Sequence, residues 1–160
     1  MTMHELTLTI ATTFSGLMAG FFFAFTVAVN SALGKLDNRK YLEAMQSINK
    51  VVLNPLFFLC FFGPLIFLPL AAMQQYGENQ FAFLALLVAS FIYIVGVFGI
   101  TGLRNVPLNN QLEAFRIPGA SEESLEQMRS TFEKPWVFWN NIRTAAAVIA
   151  FAISVISCFY

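Results

Sequence analysis

The side chains best placed to do chemistry lie in PWVFWNNIRTAAA, where Trp136, Asn140, Arg143 and Ala147 follow at steps of four, three and four residues. On a helix those steps share one face, so an indole, an amide and a guanidinium are presented together. Arg143 stands about two turns inside a helix expected to open at Pro135, and a guanidinium turned to lipid at that depth is costly. It needs partners inside the protein. Amides suit it, and such a group can orient a phenol, quinone or carboxylate and stabilise an oxygen on which negative charge develops.

Further amides flank the other apolar segments at the same end. Gln46, Asn49 and Asn54 precede or open the second, and Asn105 and Asn109 close the third in RNVPLNNQL. The candidate substrate-binding set is therefore Asn49, Asn54, Asn105, Asn109, Trp136, Trp139, Asn140 and Arg143. Their common depth predicts that Arg143 pairs with asparagines of the second or third helix. It also predicts a polar cavity roofed by a short helix from Leu108 to Arg116 and walled by Trp136 or Trp139. The alternative is that these groups cap helix ends broken at Pro55 and Pro107, with the two indoles forming an interfacial belt.

The elements that must hold these residues are long and apolar. Hydrophobic residues make up 58% of the 160 and charged ones 11%, too little polar surface for a water-soluble domain of this size. Apolar runs predict transmembrane helices over about 6–33, 51–73, 81–104 and 136–160, each near the roughly 20 residues that cross a bilayer. The expected fold is an all-α, four-helix transmembrane bundle in a single domain, 1–160. Short amphipathic helices are expected in the third connection, LNNQLEAFR and then SEESLEQMRSTFEK with Ser121 as its N-cap. Pro64 and Pro69 should kink the second span.

All nine Lys and Arg lie in the first and third connections or at their borders. Under the positive-inside rule both connections are cytoplasmic and both termini face outward, in the inner membrane if the source is bacterial. Thr12, Gly16, Gly20, Ala24, Ala28 and Ala32 place a small residue every fourth position on the first helix, which reads as a packing seam within the bundle; a homo-oligomer seam is the alternative. A net charge of zero points to no nucleic acid, leaving the lipid bilayer and a lipophilic aromatic molecule as expected partners.

No cofactor is expected. His4 is the single histidine and reads as a solvated terminal residue, while Cys60 and Cys158 read as buried small hydrophobes, so no metal or haem ligand set is recognisable. Phosphate loops and GxSxG elbows are absent.

FFFAFTVAVNSALGKL, EAMQSINKVVLNPLF, GVFGITGLRNVPLNNQLEAF and WVFWNNIRTAAA, in this order, resemble the small four-helix membrane proteins named after the anthrone oxygenases. The resemblance implies oxidation of an anthrone-type polycyclic phenol to a quinone with O₂, with no firmly assigned metal or flavin. It places family motif positions on Gln46, Asn49, Asn54, Asn105, Pro107, Asn109, Trp139, Asn140 and Arg143. Family members often carry His where this chain has Asn141, so that position offers no imidazole base here. Two functions stand side by side: cofactor-free oxidation of a lipophilic phenol, anthrone or quinol at the Asn and Arg cluster, or a nonenzymatic membrane protein that binds a lipophilic molecule or assists assembly or transport.

Overall fold

The computed structural model describes residues 2–159; Tyr160, where the fourth span was expected to end, lies outside them. The described residues form five helices and no strand: α1 Met3–Leu33, α2 Asn38–Val52, α3 Pro55–Gln74, α4 Gln80–Ala114 and α5 Glu122–Ser157. All but α2 are long and apolar enough to cross a membrane. Large apolar side chains such as Leu17, Ile66, Phe91 and Leu103 are exposed on the outer surface, which suits lipid and would aggregate in water. Both observations fit an integral membrane protein built as an all-α four-helix bundle.

Each helix begins where a side chain can cap it. Thr2 and Glu5 form a reciprocal capping box for α1, Asp37 accepts from the backbone of Lys40 at α2, and Asn54 from Phe57 at α3. Asn79 serves α4 and Ser121 serves α5. Each such cap stabilises its helix by about 1 kcal/mol. Around the bundle, α1 and α4 each pack against both α3 and α5. The contacts are close because small residues face rings or methyls. A methyl at Gly63 of α3 would overlap Phe14 of α1, one at Gly16 would come 2.9 Å from Phe151 of α5, and one at Gly96 would come 2.5 Å from Ala146.

The small-residue seam expected on α1 is internal only at its start, where Gly16 faces Phe151. At 3.6 residues per turn each four-residue step overshoots by about 40°, so five steps carry the stripe roughly halfway round the helix. Gly20, Ala24, Ala28 and Ala32 are accordingly exposed, and the buried stripe is Ala11, Ser15, Met18, Ala19 and Phe22.

Other boundaries move as well. The second span starts at Pro55, because Leu53 leaves helical geometry (ψ 65°) and Asn54 recaps the chain; the residues before it form the separate amphipathic helix α2. Pro107 does not break the third span. Thr101–Asn105 is a wide π-helical turn, with the Val106 N–H reaching back to Thr101, so α4 runs on to Ala114 past the proline. Pro135 likewise lies inside α5, which is continuous for 36 residues. The expected amphipathic helices of the third connection are thus extensions of α4 and α5, separated by a turn at Gly119 (φ 81°). Cys60 is buried as expected, but Cys158 is exposed because it caps the C-terminus of α5.

At about 54 Å, α5 is much longer than a bilayer's ~30 Å hydrocarbon core. Its first turns pack against α2 through Leu125, Met128 and Phe132 on one side and Tyr41, Leu42 and Met45 on the other. Three polar side chains clasp this end by gripping backbone carbonyls. Arg129 donates to Gly34 at 2.9 Å and Leu36 at 2.7 Å, pairs with Glu133 and covers the ring of Tyr41. Gln46 donates to Leu112 and Phe115, and Arg39 to Ile117 and Ala120.

Candidate functional site

Arg143 is 7% exposed and lies between two aromatic rings, its guanidinium carbon 4.2 Å from the centre of Phe22 and 5.4 Å from that of Trp136. Its hydrogen bonds go to neutral groups. Nε and Nη2 donate to Asn140 Oδ1 at 3.3 and 3.0 Å, and Nη1 reaches Thr101 Oγ1 at 3.4 Å. Among the described residues no carboxylate lies within 4 Å of it. The expected pairing with asparagines of the second or third helix is therefore replaced by Asn140, one turn earlier on the same helix, and by a threonine of α4.

Asn140 is fully buried and passes the network on, its amide donating to Thr26 Oγ1 of α1 at 3.0 Å. Thr26 donates to Asn141 Oδ1 at 3.1 Å and lies 3.0 Å from Thr144 Oγ1. Thr144 in turn bonds the carbonyls of Asn140 and Phe22. Thr26 and Thr101 both sit in π-helical turns, Phe25–Val29 of α1 and Thr101–Asn105 of α4. Such turns are rare and concentrate at functional sites. Here two of them, on helices that flank α5, present hydroxyls to the same guanidinium and amide.

The remaining candidates divide into four places. Asn105 is 1% exposed; its amide donates to the carbonyl of Trp136 at 3.3 Å, while its own oxygen is buried without a partner. Asn109 accepts from the Trp136 indole at 2.8 Å and, with Asn49, Lys50, Asn110 and Glu113 beside the apolar Val52, Leu53 and Val106, lines a cavity of about 270 Å³ between α2 and the end of α4. The amide nitrogen of Asn49 is buried and unpaired, and Lys50 pairs with Glu113 at 2.9 Å. Of the residues expected around a polar cavity, this one brings together Asn49 and Asn109; Asn105, Arg143, Trp136 and Trp139 do not line it, and Val52, Leu53 and Val106 do. Trp139 instead stacks under Arg104, 4.9 Å from its guanidinium carbon.

Asn54 caps α3, and it borders a larger, apolar cavity of about 470 Å³ between α1, α2 and α3. Phe21, Phe25, Phe57, Met18, Ile48 and Cys60 line this cavity, and its exposed rim of Leu17, Val51 and Leu56 opens on the outer surface of the bundle. Arg143 stands behind its wall: Phe21 touches Phe22, and Phe25 lies 5.8 Å from Trp136, the two rings that hold the guanidinium. Both routes from cavity to cation pass through two aromatic layers.

Thr26, Thr101, Thr144 and Phe22 are the network members that the sequence reading overlooked. Thr144 adjoins Arg143, and Thr26 is the hydroxyl that interrupts FFFAFTVAV; both signals were present. His4 bonds to Gln75 at the opposite end of the bundle. No group of three or more His, Cys, Asp or Glu that could hold a metal occurs among the described residues.

The model of the anthrone oxygenase family matches residues 57–153, which takes in α3, α4, most of α5 and the candidates Asn105, Asn109, Trp136, Trp139, Asn140 and Arg143, but leaves Asn49 and Asn54 outside. No curated protein and no solved structure matches. More than half of the chain, including Thr101, Asn140, Arg143 and Thr144 but not Phe22 or Thr26, falls within that match, and the protein belongs to the anthrone oxygenase family.

Proposed function

We propose that the protein takes a lipophilic polycyclic phenol of the anthrone or quinol type from the bilayer into the cavity between α1, α2 and α3 and oxidises it with O₂. For an anthrone the balance is one CH₂ and one O₂ consumed, one C=O and one H₂O formed. The observation that carries this reading is the aromatic, laterally open cavity backed by a buried guanidinium that no carboxylate neutralises. A positive charge behind low-dielectric aromatic walls favours ionisation of a phenol lodged against them. Arg143 and Asn140 act as positioning residues, since rings separate them from the cavity. The basic residues in the first and third connections support a topology with both termini outside.

A second reading rests on the lining itself. Apart from Ser47 and Cys60 the cavity wall offers no group suited to move a proton, which favours a protein that binds a lipophilic molecule without converting it. Purified protein in mild detergent, supplied with anthrone and O₂ beside a protein-free control, separates the two. Quinone formation above the control that falls at least tenfold in Arg143→Met supports the oxygenase. Saturable binding with no excess quinone establishes the binder instead, and no binding at all removes both.

A further inference from the structure

The cavity between α2 and the end of α4 changes character along its length, and its two walls change in the same order. On α4, Glu113 is followed by Asn110 and Asn109 and then by Val106, and one turn further toward the middle of the span Leu103 stands 76% exposed. On the facing wall Lys50 of α2 gives way to Leu53, which is 64% exposed. Charge, then amide, then hydrocarbon is the order a bilayer presents from its boundary inward.

The polar end holds one charge of each sign. Lys50 and Glu113 meet at 2.9 Å through one carboxylate oxygen, which leaves the second oxygen and the other ammonium N–H groups to a ligand. Asn109 has its oxygen held by the Trp136 indole, so its NH₂ is the end left to donate. From this gradient and this charge pair we infer that the cavity binds a phospholipid with a phosphoethanolamine headgroup. The phosphate accepts from Lys50 and Asn109, the ammonium donates to Glu113, and an acyl chain runs over Val106, Leu103 and Leu53. The charges then alternate in sign, each in a charge-assisted hydrogen bond. A choline headgroup has no N–H to give Glu113, and an anionic headgroup would set a net negative charge beside that carboxylate. The inference does not depend on the reading of the apolar cavity.

Native mass spectrometry of the full chain in mild detergent tests it, comparing retention of dioleoyl phosphatidylethanolamine, phosphatidylcholine and phosphatidylglycerol, which share their chains. The ethanolamine lipid should be retained about fivefold over the other two, the scale of one partly exposed ion pair. Glu113→Gln should remove that preference while phosphatidylcholine is retained as before, which also shows that the variant is folded. Glu123→Gln, an exposed carboxylate in the first turn of α5, should keep it. Equal retention of the three lipids, a preference for phosphatidylglycerol, or a preference that survives Glu113→Gln overturns the site. So does an equal loss in Glu123→Gln, which would trace the preference to surface charge in general. Glycerophosphoethanolamine, the headgroup without chains, should not displace the lipid at equal concentration; if it does, the ligand is a soluble phosphate ester and the lipid assignment is overturned.

Discussion

The indole N–H of Trp136 donates to the amide oxygen of Asn109 at 2.8 Å. The same ring lies 5.4 Å from the Arg143 guanidinium carbon and 5.8 Å from the ring of Phe25, so a single side chain joins Asn109, the cation and the wall of the apolar cavity. Trp136→Phe keeps most of the ring and loses the donor. It should cost about 1 kcal/mol of stability, and a double-mutant cycle with Asn109→Leu should return a coupling of similar size. A coupling near zero would show that the bond contributes nothing.

Arg143 separates stability from function. A buried cation held only by neutral partners pays a desolvation cost that an apolar side chain of similar length avoids, and such replacements are often neutral or stabilising by about 1–4 kcal/mol. Arg143→Met should therefore leave thermal stability in detergent unchanged or raised while lowering the proposed quinone formation at least tenfold. A loss of more than about 3 kcal/mol would make Arg143 a structural strut.

Close helix packing gives a sharper structural test. Gly63→Ala drives a methyl into Phe14 and should destabilise the bundle by about 1–3 kcal/mol, with Phe14→Ala relieving the clash in the double variant. Gly20→Ala meets nothing within 4 Å and should be neutral or slightly stabilising. Equal effects at the two glycines would contradict the packing of α1 on α3.

How much of this could be read from the chain depends on the physics behind each signal. Four apolar runs gave four spans, because crossing a bilayer demands length and apolarity alone. Trp136, Asn140 and Arg143 fell on one buried face because α5 is a regular helix, for which spacing predicts direction. The π-helical turns at Phe25–Val29 and Thr101–Asn105 have no comparable signature, and they place Thr26 against the Asn140 amide and Thr101 against Arg143. The amphipathic helix α2 is masked in the sequence by its charges: Arg39, Lys40 and Lys50 give it the composition of a connection, although the spacing of Tyr41, Leu42 and Met45 describes a buried face.

Tyr41 lies outside the membrane-spanning helices and is buried against Phe132. Desolvation first, and then the charge of Glu133, raise its hydroxyl above the usual value, against the opposing pull of Arg129. The folded protein then keeps a proton that the unfolded chain releases near pH 10. Stability from this group is complete below about pH 10 and is lost as pH rises beyond it. Melting temperatures between pH 8 and 11 should fall more steeply for the unmodified protein than for Tyr41→Phe. Parallel curves would show that Tyr41 is not the group responsible.

The two cysteines report topology without engineering. Cys158 is exposed near Thr12, at the end of the bundle that holds the α1 N-terminus, whereas Cys60 is buried. With both termini outside, a membrane-impermeant maleimide added to intact cells should modify Cys158 and spare Cys60. Labelling of Cys158 only after the cells are opened would invert the bundle.

The clasp at the loop end sets an order of events during synthesis. Arg129 grips the carbonyls of Gly34 and Leu36 from 95 and 93 residues further along the chain. While the ribosome is still making α3 and α4, the end of α1 has its carbonyls open to water and α2 has no surface on which to fold its apolar face. Helices α1, α3 and α4 can enter the bilayer one after another, but α2 can settle only after the first turns of α5 emerge. The last quarter of the chain to be translated thus completes the first, and until it arrives the nascent protein is a set of inserted spans with its loop end unlatched.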